Sequence, residues 1–124
     1  MNDKLQEQLN YLNQEINNIE QLLQEQLLEK EATKKLLEDL PLLNDLKEDQ
    51  EIIVPVAKGI FLRLTIKEFK SFVVNVGNNV LLDKNLEEVK TLLNENLRII
   101  EDNIALLKQQ HQKLVENIKK IYQQ

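Results

Sequence analysis

Between Leu93 and Ile121, nine positions recur at alternating intervals of four and three residues: Leu93, Leu97, Ile100, Ile104, Leu107, His111, Leu114, Ile118 and Ile121. All but His111 are aliphatic. A repeat of this kind keeps every one of these side chains on one stripe of a helix, and that stripe has to meet a second helix. One other segment can supply the partner. Leu5, Leu9, Leu12, Ile16, Ile19 and Leu23 follow the same interval rule. The next two seam positions would be Gln26 and Lys30, while the aliphatic residues move to Leu27, Leu28, Ala32, Leu36 and Leu40. That displacement predicts a local, stutter-like change of register within a continuing helix. Pro41 removes an amide donor and disfavours helix at Leu40, so a kink or an end is expected there, followed by a short turn through Leu42, Leu43 and Leu46.

The stretch from Glu51 to Asp83 breaks this pattern. It holds both glycines, one of the two prolines and all three phenylalanines, and its apolar residues alternate with period two. Glu51 to Val56 reads as a strand with Ile52, Val54 and Val56 on one face, at a sheet edge or bulged because Pro55 donates no ladder hydrogen bond. Lys58-Gly59 forms the turn to Ile60–Ile66, where Ile60, Leu62, Leu64 and Ile66 face one side and Phe61, Arg63 and Thr65 the other. A second hairpin pairs Ser71–Val76, carrying Val74 and Val76, with Asn79–Asp83, carrying Val80 and Leu82, through Gly77-Asn78. Two isolated hairpins are marginal and have unpaired edges, so oligomerisation through these strands is expected. The candidate interface residues are Ile52, Val54, Val56, Phe61, Leu62, Leu64, Val74, Val76, Val80 and Leu82.

The resulting fold class is α+β: a long antiparallel two-helix coiled coil with two central β-hairpins. The chain of 124 residues reads as one domain, with an N-terminal helix in 1–46, a hairpin body in 51–83 and a C-terminal helix in 84–124. Asp83 or Asn85 caps the second helix, and Glu87 and Glu88 favour the positive end of its dipole. At roughly 1.5 Å per residue the paired helices would form an arm on the order of 60 Å long. If Leu43 meets Leu86, facing residue numbers sum to about 129, and Leu92, Ile99 and Leu106 widen the second stripe near the strands. Fraying at the far end would expose Leu5, Leu9, Leu12, Ile118, Ile121 and Tyr122 as an apolar tip able to hold apolar surface of another molecule.

With this plan in place, the wording of the hairpins becomes specific. Ile53-Val54-Pro55-Val56-Ala57-Lys58-Gly59-Ile60-Phe61 resembles the first hairpin of α-class prefoldin subunits. Val73-Val74-Asn75-Val76-Gly77-Asn78-Asn79-Val80 is similar to their second hairpin, and Leu86-Glu87-Glu88-Val89 to the start of their second helix. Ala57-Lys58, where a glycine is common, and Phe69 between the hairpins depart from the family pattern. The resemblance implies an ATP-independent holding chaperone in which two α-class subunits join four β-class subunits. Their hairpins would form a β-barrel body. It further implies capture of non-native polypeptides at the coil tips, transfer to a group II chaperonin, and no catalytic residues or cofactor. A self-assembling filament or scaffold of the prefoldin type is the alternative, because open strand edges also allow non-closing contacts.

Composition agrees with this class. Charged residues make up 30% of the chain, the net charge is -5 and aromatics are 4%, which argues against nucleic-acid binding. There is no cysteine, so a disulfide framework or thiolate metal site is excluded and a reducing compartment fits. No apolar run is long enough to cross a membrane, and the Asn/Gln-rich N-terminus does not read as a signal peptide, so the expected location is cytoplasmic. A single histidine makes neither a zinc site nor a nucleophile constellation. His111 therefore reads as a polar seam residue that fixes register, whose protonation would loosen the distal coil.

Overall fold

The computed structural model describes residues 3–123; Met1, Asn2 and Gln124, at the ends of the expected helical segments, lie outside them. The elements are α1 (Asp3–Asn44), β1 (Glu51–Ala57), β2 (Ile60–Thr65), β3 (Phe72–Asn75), β4 (Leu81–Lys84) and α2 (Leu86–Tyr122). Tertiary contacts divide the chain into two units, Met1–Lys34 with Glu95–Gln124, and Lys35–Asn94.

The first unit is the antiparallel coil. Leu9, Ile19, Ile100 and Ile104 are buried in its seam, with Leu5, Leu12, Ile16, Leu23, Leu97, Leu107, Leu114, Ile118 and Ile121 half-buried beside them. Three cross-helix pairs fix the register: Gln26 with Asn103 at 3.5 Å, Lys30 with Glu101 at 3.9 Å, and Glu20 with His111 at 3.1 Å. Their residue numbers sum to 129, 131 and 131.

The expected change of register does not occur. The heptad of α1 runs on through Gln26, Lys30 and Thr33 at intervals of four and three, and these polar residues turn inward. Leu27, Leu28 and Ala32 stay exposed, as does Leu36 in the other unit. The reason is angular. Residues spaced by four advance about 40° around a helix at each step, so Leu28, Ala32, Leu36 and Leu40 drift by about 120° and no straight partner can follow them. Keeping the heptad requires each polar seam residue to find a partner. Gln26 and Lys30 reach across to α2, and the buried Thr33 hydroxyl donates to the Glu29 carbonyl at 2.8 Å.

In the second unit α1 passes through Pro41 and ends at Asn44, beyond the kink or end expected at Leu40. Its last turn closes with shorter-range bonds, Asp45 N–H to Leu42 carbonyl and Leu46 N–H to Leu43 carbonyl, both 3.3 Å. β1 and β2 pair antiparallel, with Ile52 opposite Leu64 and Val54 opposite Leu62. Between Pro55 and Ala57 the register shifts, so Val56 is the extra residue of a bulge beside the proline. Lys58 and Gly59 both have positive φ, 46° and 79°, as a two-residue hairpin turn needs. β3 and β4 form a separate two-stranded sheet, with Val74 opposite Leu82. β3 stops at Asn75 and β4 starts only at Leu81, because Gly77, Asn78 and Asn79 all take positive φ and widen the turn; β4 runs on to Lys84, one residue past the expected Asp83. Asn85, one of the two predicted caps, receives the Glu88 N–H at 2.9 Å while its own N–H reaches the Glu88 carboxylate at 3.1 Å. That reciprocal pair is a capping box.

Candidate functional site

The hairpins expose more apolar surface than any other part of the second unit. In β1–β2 no residue of the face of Ile52, Val54, Leu62 and Leu64 is buried: Ile52 and Val54 are half-buried, and Leu62 and Leu64 are exposed. The reverse face carries Ile53 and Phe61, 58% and 60% exposed, beside an ion pair between Arg63 and Glu51. β3–β4 repeats the arrangement: Val74 and Leu82 on one side, Val73 and Leu81 on the other. Strands with aliphatic residues on both faces belong inside an assembly, because a sheet with one wet face alternates apolar and polar. Each sheet has two strands, so every strand also has an unpaired edge among the described residues.

All ten predicted interface residues lie on or beside these strands and none is buried; Val56 sits in the bulge, and Val76 and Val80 flank the second turn. Ile53, Ile60, Val73 and Leu81 were not among them and are equally exposed. Their signal was present in the sequence: Ile53 shares a face with Phe61, and Val73 with Leu81, once antiparallel register is imposed.

The predicted tip residues are placed differently. Leu9 is only 3% exposed, and Leu5, Leu12, Ile118 and Ile121 are half-buried seam residues; only Tyr122 projects outward. Tyr11, not among the predicted tip residues, is also exposed. His111 is a half-buried seam residue facing the Glu20 carboxylate, so a positive imidazole would meet an opposite charge there and not hydrocarbon. That placement removes the basis for expecting protonation to loosen the coil.

The exposed Lys35 ammonium is held above its ordinary value by its hydrogen bond to Asp39 and by the charge of that carboxylate. Among the described residues no three His, Cys, Asp or Glu side chains gather as a metal site, and no helix is long and apolar enough to cross a membrane.

The family model of prefoldin subunits matches residues 5–124. A prefoldin subunit alpha from Methanococcus vannielii is 30% identical over 125 residues, covering 98% of this chain and 83% of that protein. One from Methanococcus maripaludis strain C5 is 30% identical over 90% of this chain and 70% of its own length. One from Thermofilum pendens is 30% identical over 64% of this chain, and the match spans 61% of that protein. Among solved structures, the cryo-EM structure of filamentous PFD from Methanocaldococcus jannaschii superposes with a TM-score of 0.83 at 18% identity, covering 96% of this chain and 98% of that one.

Proposed function

This chain belongs to the prefoldin family, and from that premise we propose that it is the α-class subunit of an ATP-independent holding chaperone. The observation that carries the reading is the pair of hairpins with exposed aliphatic residues on both faces and unpaired edges. Such strands are completed only by other strands. The proposed partners are β-class subunits, four to every two copies of this chain, whose hairpins close a β-barrel with these. The assembly would be cytoplasmic, hold non-native polypeptides and pass them to a group II chaperonin, with no chemistry of its own.

The proposed client surface is the distal end of the coil: Leu5, Leu9, Leu12, Ile118, Ile121 and Tyr122. Because five of these pack in the seam, capture requires the helix ends to part, and terminal turns lack part of their backbone hydrogen bonding. A parted tip would present aliphatic side chains worth about 1.5–3 kcal/mol each on burial, which selects for exposed hydrophobicity and not for sequence. The test is aggregation of a chemically denatured protein in the presence of the assembled complex. Serine at all six tip positions should leave assembly intact and abolish suppression; undiminished suppression would move the client site elsewhere.

Open edges on the same hairpins also permit self-assembly into a filament without β-class subunits. Assembly mass with and without that partner separates the two readings.

A further inference from the structure

Each two-stranded sheet has two free edges, and the edges differ in how many backbone groups they offer. In an antiparallel pair, residues alternate between those that bond the partner strand and those whose N–H and C=O point away from it. The start of the first hairpin sets the phase. The Asp49 N–H donates to the Ile66 carbonyl at 2.7 Å, and the Ile66 N–H donates to the Gln50 carbonyl at 2.8 Å. Asp49 has a φ of 65°, so Asp49 and Gln50 oppose Ile66 in a bulge whose first residue is left-handed. Counting from Ile66 through the register, Ile52 with Leu64 and Val54 with Leu62 bond inward. The backbone groups of Glu51, Ile53 and Pro55 therefore point out along the free edge of β1, and those of Phe61, Arg63 and Thr65 along the free edge of β2.

These two edges are unequal. Pro55 has no N–H to offer, and the register shift between Pro55 and Ala57 bends the strand beside it. Proline and a bulge are two of the features that keep an edge from accepting another strand. β2 has no proline and no extra residue from Ile60 to Thr65. Its one charged residue, Arg63, pairs with Glu51 of β1, so it does not guard the edge as a free lysine would. The strands of the second hairpin have four residues each and offer shorter edges. Resting on the prefoldin reading above, we propose that the free edge of β2 carries the principal backbone ladder to a strand of the β-class subunit. The edge of β1 meets its neighbour mainly through side chains.

Strand addition draws its affinity from main-chain hydrogen bonds and its specificity from alternate side chains. Phe61, Arg63 and Thr65 each offer one N–H and one C=O at the β2 edge, while β1 has complete groups only at Glu51 and Ile53. Ile53 and Arg63 are direct partners in the register. A proline at either position removes an N–H that points away from the hairpin, so the bonds between β1 and β2 are kept in both cases. The same substitution on the two sides of one pair thus reads the two edges separately.

The experiment compares each proline with alanine at the same position, which cancels the contribution of the lost side chain. The four variants and the parent are mixed with a β-class prefoldin subunit, and association is followed by light scattering on a sizing column over a range of concentrations. Arg63→Pro should associate at least about tenfold more weakly than Arg63→Ala, because an acceptor on the incoming strand goes unmet and the ring obstructs it. Ile53→Pro should stay within about threefold of Ile53→Ala, since that edge is already interrupted at Pro55. A second measurement needs no variant: on assembly of the parent chain, amide exchange at Phe61, Arg63 and Thr65 should slow more than at Glu51 and Ile53. Equal losses at the two positions, a larger loss at Ile53, or greater protection along β1 overturns the inference while the parent still assembles. A parent chain that does not assemble with the β-class subunit overturns the function on which the inference rests as well.

Discussion

The coil of the first unit and the hairpins of the second treat their apolar residues in opposite ways. In the coil, Ile100 and Ile104 are buried within the chain, and even the polar seam residues find partners there. In the hairpins, Phe61, Val73 and Leu81 each keep about 60% of their surface exposed, though they sit in regular strands with good register. The coil is stabilised by its own sequence. The hairpins have their geometry from their own turns and await their stabilisation from another chain. A change in either region therefore ought to show up in a different measurement.

The largest separation should come from the strands. Leu62→Ser with Leu64→Ser should eliminate assembly with a β-class subunit, read as mass on a sizing column, while helicity of the coil stays near that of the parent. Loss of helicity in this variant would break the contrast, because it would make the hairpins part of the coil's own stability. In the coil, Ile104→Ala should cost about 2–4 kcal/mol in denaturant unfolding, as for other buried aliphatic truncations. Its effect on the partner interface should be minor.

Polar seam residues sharpen the picture. Gln26→Leu with Lys30→Leu should raise the melting temperature of the coil, by a gain on the order of 1–2 kcal/mol, because paired polar groups in a seam are worth less than packed aliphatics. A lower melting temperature would mean that the Asn103 and Glu101 partnerships hold the coil more strongly than their geometry indicates. At Gly77, where φ is +121°, alanine should destabilise the second hairpin by about 1 kcal/mol and weaken assembly without altering the coil melt. The smallest effect is expected at Glu20→Gln. Its partner His111 is one-third exposed and Glu20 itself more than half, so thermal unfolding should change by no more than about 0.5 kcal/mol.

Most of the fold was legible because the strongest signals are local and redundant. Eight aliphatic residues on one heptad left little freedom for α2, and positive-φ turns at Lys58-Gly59 and Gly77-Asn78 bracketed the strands. After Leu23 the path of α1 departs from the expected one. The aliphatic positions Leu27, Leu28, Ala32 and Leu36 point to a shifted stripe, whereas the structure follows phase and lets Gln26, Lys30 and Thr33 occupy the seam. Phase is a property of two helices together, and hydrophobicity is a property of each residue alone. For the same reason, alternation picked out the face of Ile52, Val54, Leu62 and Leu64 but passed over Ile53, Val73 and Leu81. On β1–β2 the second face mixes Ile53 and Phe61 with Glu51, Arg63 and Thr65, so alternation alone marks only the first.

On the proposed function, a different chain of the same family completes the hairpins. Light scattering on a sizing column, with this chain alone and then mixed with a β-class prefoldin subunit, reads this out. A discrete hexamer that forms only in the mixture is the predicted result. Long polymers formed by this chain alone, or a monomer in both samples, would contradict it.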